Sequence, residues 1–315
     1  MDFNRPTISE MASLVNDKVL ENKNKAVFSI LIYTLLKTFS SVICIIPVLM
    51  SYISNTMDKT VTLIACVSVC IVIHVLMGVI HYGLISIFER LTKKEFVTLG
   101  FLFIGFKKDQ KRAFLTSIFY SLLLLVFIFL LLFIALIIYF NQDSGREVLN
   151  TFSQSQDLSG LNSFIQSLSQ IFLVAMIVLE ILFFPFEFRY LFLLSDEKIS
   201  SVKALFKSYA FTLKNLFRYI GLLIYSAKVS LALVIVCNLV SYFIPKELNF
   251  LSMLISIVAF IAEINLLVKV NFCNVIFFYS NNKSNVLFNN HHDDEDMKKN
   301  ILLNELLESD GDKDL

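Results

Sequence analysis

The chain reads as an all-α protein: a polytopic membrane helix bundle of six transmembrane helices, with both ends cytoplasmic and amphipathic helices at the inner interface. Three observations predict this. Six apolar runs, at about 26–53, 60–88, 113–140, 168–194, 219–244 and 250–279, are each long enough to cross a bilayer. Charged residues make up only 17% of the sequence against 57% hydrophobic, so a water-soluble fold could not cover its apolar surface. Finally, Lys and Arg alternate in density. The segments before span one, between spans two and three, between four and five, and after six hold 20 of the 27, while the other three loops hold only Lys59, Arg146 and Lys246. By the positive-inside rule the rich segments, and hence both termini, face the cytoplasm.

Residues 1–25 are polar, with Thr7 and Glu10 spaced as a capping box ahead of Met11, Leu14, Val15 and Leu20. That pattern predicts a short amphipathic helix on the inner surface, followed by a first apolar run that stays as a membrane helix. On the second span, Cys66, Cys70, His74 and His81 fall on one helix face. Sulfur and imidazole suit copper or zinc, but the outer members lie over ~20 Å apart along the axis. At best Cys70 and His74 form an i, i+4 pair that needs ligands from other helices, and core cysteines with a hydrogen-bonded histidine account for the set better. All five cysteines lie inside apolar runs, which predicts reduced packing residues and no disulfide framework.

The loop LTKKEFVTLGFLFIGFKKDQKRAFL puts an apolar core, Phe96 to Phe106, between basic clusters, with Gly100 and Gly105 permitting a bend. Such a segment is expected to dip into the inner interface. The outer loop 141–167 is rich in Ser, Gln and Asn, with one short helix expected near Leu161 to Leu168. The loop between spans four and five carries Val202, Leu205, Phe206, Tyr209, Leu213, Leu216, Phe217 and Ile220 at helical spacing, with Lys203, Lys207 and Lys214 between them. This predicts a basic helix lying along the inner leaflet. The two basic hairpins have a common plan and orientation, compatible with a parallel repeat and equally with the charge rule alone. From about 280 to 315 the chain turns polar and acidic, with HHDDED at 291–296. A mostly disordered tail is expected, with an amphipathic helix from Met297 to Glu308 that a protein partner could use.

Charge inside the spans is where chemistry could reside, because it is costly there unless paired or hydrated. The residues are Lys37, Glu180, Glu187, Arg189, Lys228, Glu263 and Lys269. Glu180 and Glu187 are spaced to share a helix face, and Pro185 between them can kink the span and free a backbone carbonyl. The site candidates are Glu180, Glu187, Lys228, Glu263 and Lys269. One reading is an inward-facing cavity for a small solute or proton pathway; the other is a set of structural ion pairs, with Lys37 and Lys269 snorkelling. On the sixth span, Glu263, Asn271 and Asn274 are expected on one face, and Asn265 and Lys269 on another.

No phosphate loop, HExxH, GxSxG or dinucleotide glycine fingerprint occurs, and no cofactor is implied. The balanced net charge of +1 gives no reason to expect a nucleic-acid partner. The segments YGLISIFERLTKKEFVTLGFLFIGFKK and FRYLFLLSDEKISSVKALFKSYAFTLKNLFRYIGLLI resemble a loose group of uncharacterised bacterial six-helix inner-membrane proteins. That group includes the membrane domain attached to some glycerophosphoryl diester phosphodiesterases. The resemblance implies a six-helix fold in a bacterial inner membrane; no phosphodiesterase domain and no active-site residue carry over. The favoured expectation is a non-catalytic accessory or envelope-maintenance component whose basic inner loops contact anionic lipid. The alternative is a transporter using the inner-half carboxylates.

Overall fold

In the computed structural model, residues 6–54, 59–107, 111–141, 174–175, 177–244 and 249–282 are described. The helix expected near Leu161 to Leu168, the start of the fourth predicted span and the whole acidic tail with its Met297 to Glu308 segment lie outside them. Among the described residues the chain is helical, with no strand. Helices α1 (Ile8–Ser54), α2 (Lys59–Thr92), α3 (Lys111–Asn141), α4 (Arg189–Ser195), α5 (Ser201–Phe243) and α6 (Asn249–Asn282) follow in order. A 3-10 helix, Leu99–Phe106, separates α2 from α3, and a 3-10 turn, Phe184–Phe186, precedes α4.

Five stretches are long and apolar enough to cross a membrane: Ile8–Cys44, Ile64–Thr92, Lys111–Ile134, Ser201–Ser241 and Phe250–Asn282. By that measure this is a multi-pass membrane protein. The fourth predicted span differs from the rest, because the helical run 177–183 breaks at the Phe184–Phe186 turn before α4 begins. Proline supplies no amide hydrogen, so the regular ladder cannot pass Pro185.

The capping box closes as its spacing predicts. The Thr7 amide donates to Glu10 Oε2 at 2.6 Å and the Glu10 amide to Thr7 Oγ1 at 3.2 Å. The helix it starts does not stop before the first span. Instead α1 runs on through a kink at Asn22 (φ −119°, ψ 16°), whose side-chain amide donates to the Lys18 carbonyl. Of its predicted apolar residues Met11, Leu14 and Val15, with Val19, are buried in protein, while Leu20 is exposed.

The helix expected along the inner leaflet and the fifth span are likewise one helix, α5. Ser201, Ala204, Ser208, Thr212, Tyr219 and Ser226 form the buried stripe, while Phe206, Leu213, Phe217 and Ile224 face outward. In lipid, large apolar side chains gain nothing by turning inward, whereas small and hydroxyl residues let helices approach and bond.

At the end of α2 the chain turns sharply. Lys94 adopts φ 58°, the Lys94 amide donates to the Leu91 carbonyl and the Glu95 amide to that of Arg90, which together make a Schellman cap.

The chain divides into two compact units. The first comprises Met1–Leu36, Gly83–Leu102 and Asn215–Leu315; the second comprises Lys37–Tyr82 and Phe103–Lys214. In the first, Phe88 and Phe272 pack edge to face at 4.8 Å, the Tyr219 and Phe277 rings lie 5.2 Å apart, and Leu84 is buried. In the second, Phe211 lies against Phe188 and Phe192 at 5.1 and 5.8 Å. Arg112, at the start of α3, donates to the carbonyls of Asp196 and Ile199, and its own carbonyl accepts from Ser201. These bonds fix the short connection from α4 to α5.

Candidate functional site

The predicted site residues are distributed over both units. In the second, Glu180 is exposed and Glu187 half-buried, with the 3-10 turn between them, so they do not share a regular helix face. In the first, Glu263 and Lys228 are exposed, Lys228 lying 5.0 Å over the Tyr225 ring. Lys269 is half-buried and donates to the Ser226 carbonyl at 2.9 Å, so it is bound to a neighbouring helix and not extended toward the surface as a snorkelling side chain would be. Glu263 parts company with Asn271 and Asn274, which are buried; Tyr219 donates to Asn274.

His74 stacks on Tyr120, with ring centroids 6.0 Å apart, and the Cys66 thiol reaches the Cys44 carbonyl. Among the described residues no group of three or more His, Cys, Asp or Glu side chains is placed to hold a metal ion, so Cys70 and His74 gain no third ligand.

Among the described residues three charged side chains are buried, Lys18 and Glu89 in the first unit and Arg189 in the second. In the second unit Arg189 opens α4 with its guanidinium between two rings, 4.0 Å from the Tyr120 centroid and 4.4 Å from that of Tyr190. Its Nη1 donates to the Phe186 carbonyl at 2.9 Å, one of the groups freed by the break at Pro185. The Pro185 carbonyl itself accepts from Ser208 and Thr212. Tyr190 is held by Ser117 at 2.9 Å and by the edge of His81. Gly78 leaves room for this, since a side chain there would meet Ser117 and Tyr190 at about 3 Å. Glu187 acts on the guanidinium electrostatically.

In the first unit Lys18 pairs with Glu21 at 3.0 Å, and the other buried charge, Glu89, lies near the end of α2. It accepts from Lys93 at 2.7 Å and from the Tyr279 hydroxyl of α6, and Lys93 also lies over the Tyr279 ring. In the same unit Arg218 donates to Asn281 Oδ1 and to the Pro6 carbonyl. Glu89 escaped the reading of intramembrane charge because it falls at a span end; its i,i+4 spacing from Lys93 was the available signal. Nothing in the sequence pointed to Tyr120 and Tyr190.

The exposed surface carries a third arrangement. On α5, Lys203, Lys207 and Lys214 project outward among Phe206, Leu213 and Phe217. Comparison with protein-family models, curated proteins and solved structures returned no match.

Proposed function

We propose that this is a six-span protein of a bacterial inner membrane, with both ends cytoplasmic, that acts by association rather than catalysis and holds anionic lipid at its inner face. One observation carries the reading: the first turns of α5 bury their small hydroxyl residues and turn Lys203, Lys207 and Lys214 outward among large apolar side chains. Lysine beside exposed aromatic and aliphatic groups matches a leaflet surface, where phosphate meets acyl chain. The Lys and Arg asymmetry puts this helix end on the cytoplasmic side, where anionic lipid gives each such residue about 1 kcal/mol of attraction. The transport reading draws no comparable support, since Glu180 and Glu263 lie on the exposed surface.

The test is lipid retention by the purified full chain in neutral detergent, followed by native mass spectrometry with phosphatidylglycerol and phosphatidylcholine in equal supply. Wild type should retain the anionic lipid preferentially, and the triple variant Lys203→Gln, Lys207→Gln, Lys214→Gln should lose that preference by roughly tenfold. Equal retention of both lipids by wild type would remove the proposal. For orientation, single cysteines at Lys207 and Lys59 should label from opposite sides of sealed vesicles.

A further inference from the structure

We propose that the 3-10 helix Leu99–Phe106 is a shallow wedge in the cytoplasmic leaflet; the choice of leaflet rests on the orientation proposed above. The helix lies between the end of α2 at Thr92 and the start of α3 at Lys111, so both of its ends emerge at the same bilayer surface. With three residues per turn, side chains three apart share a face. Leu102 and Gly105 are buried, whereas Phe103 and Phe106 are 48% and 46% exposed. No ionisable residue occurs between Glu95 and Lys107, while Lys93, Lys94, Lys107 and Lys111 flank the segment in exposed positions. The segment therefore combines an apolar outward face with cationic edges, which complements the acyl and phosphate layers of an anionic leaflet.

Each part of the segment packs closely within its own unit. Gly83 of α2 lies so close to the Leu102 carbonyl that any side chain at 83 would occupy its place. In the other unit, a side chain at Gly105 would come within 2.7 Å of Val79 Cγ1. Arg90 lies 4.4 Å over the Phe101 ring and pairs with Glu95 at 3.0 Å, which staples the turn that leads into the segment. An apolar element held at this depth occupies area among the headgroups of one leaflet without filling the chain region below. The protein accordingly favours bilayers whose inner leaflet is loosely packed.

The chain has no tryptophan, so Phe103→Trp supplies a sole reporter. The full-length variant is reconstituted in phosphatidylcholine vesicles, with and without phosphatidylglycerol, containing lipids brominated at shallow or deep acyl positions. The F103W emission should be blue-shifted and quenched more by shallow than by deep bromines, at a depth of about 5–10 Å into the headgroup and acyl boundary. Leu122→Trp, on an exposed position of α3 about 16 Å further along the helix, should show the reverse order and confirms insertion. Red, unquenched F103W emission, blue emission insensitive to bromine, or a depth equal to that of L122W would each overturn the wedge. Phe106→Trp repeats the measurement should F103W fold poorly. Shallow quenching without anionic-lipid preference would retain the wedge while removing the lysine surface, so the two proposals fail separately.

Discussion

Glu89 and Arg189, one in each unit, are buried almost equally, at 6% and 5% exposure, yet they are stabilised by different means. Glu89 has a mobile cation one helical turn away and a phenol from another helix; Arg189 has two aromatic faces and a carbonyl released by a broken helix. The difference follows from local backbone. Around Glu89 the helix is intact, the amides of Lys93, Lys94 and Glu95 already donate to carbonyls, and a carboxylate must draw on side-chain donors. Around Arg189 the ladder fails at Pro185, carbonyls need donors, and a planar cation with five N–H groups can both supply one and stack.

If that account is right, the conservative substitution should be the worse one at Arg189. Lys keeps the buried charge but loses the planar stack and the fork, and should cost about 3 kcal/mol. Met removes the charge with its desolvation and leaves the Phe186 carbonyl unpaired, and should cost about 1–2 kcal/mol. Unfolding in detergent by heat or denaturant measures both. Lys tolerated better than Met would mean that charge, and not the stack, is what the site requires.

Glu89 should show the ordinary ranking. Glu89→Ala strips the acceptor from the Tyr279 hydroxyl and from Lys93. Because the Lys93 side chain is 38% exposed, it can turn to water, and the loss should be about 2 kcal/mol. Glu89→Gln keeps an acceptor for Tyr279 and should lose about half as much. A Gln variant as damaged as Ala would show that the ion pair dominates over the phenol bond.

Much of this was legible in sequence and some was not, for reasons that separate local from tertiary effects. The long helices followed from hydropathy, and the Thr7 and Glu10 box from spacing, because both are decided within a few turns of chain. Pro185 marked the break in advance for the same reason. That the basic loop helix and the fifth span are one helix was not legible, because spacing from Val202 to Ile220 does not say where a helix ends. In lipid, its Ser208 and Thr212 turn inward and its Phe206 and Phe217 outward. The surroundings of Arg189 were invisible because Tyr120 and Tyr190 meet only through the packing of α3 with α4, 70 residues apart in sequence. Glu180 and Glu187 looked like a pair only on the assumption of an unbroken helix.

The hydroxyls over Pro185 give the finest test of the contrast, since they too exist only because the ladder fails. The Pro185 carbonyl accepts from Ser208 at 2.8 Å and from Thr212 at 2.9 Å, and the Thr212 hydroxyl also lies 2.9 Å from the Ser208 carbonyl. Either donor alone satisfies the freed oxygen, so Ser208→Ala and Thr212→Val should each cost only about 0.5 kcal/mol. Together they leave a buried carbonyl without a side-chain donor and should cost about 2 kcal/mol, a coupling of about 1 kcal/mol in a double-mutant cycle. Strict additivity would mean that the oxygen does not depend on these donors. The break would then be held by the rings of Tyr120 and Tyr190 alone, and the distinction between Glu89 and Arg189 would reduce to aromatic stacking.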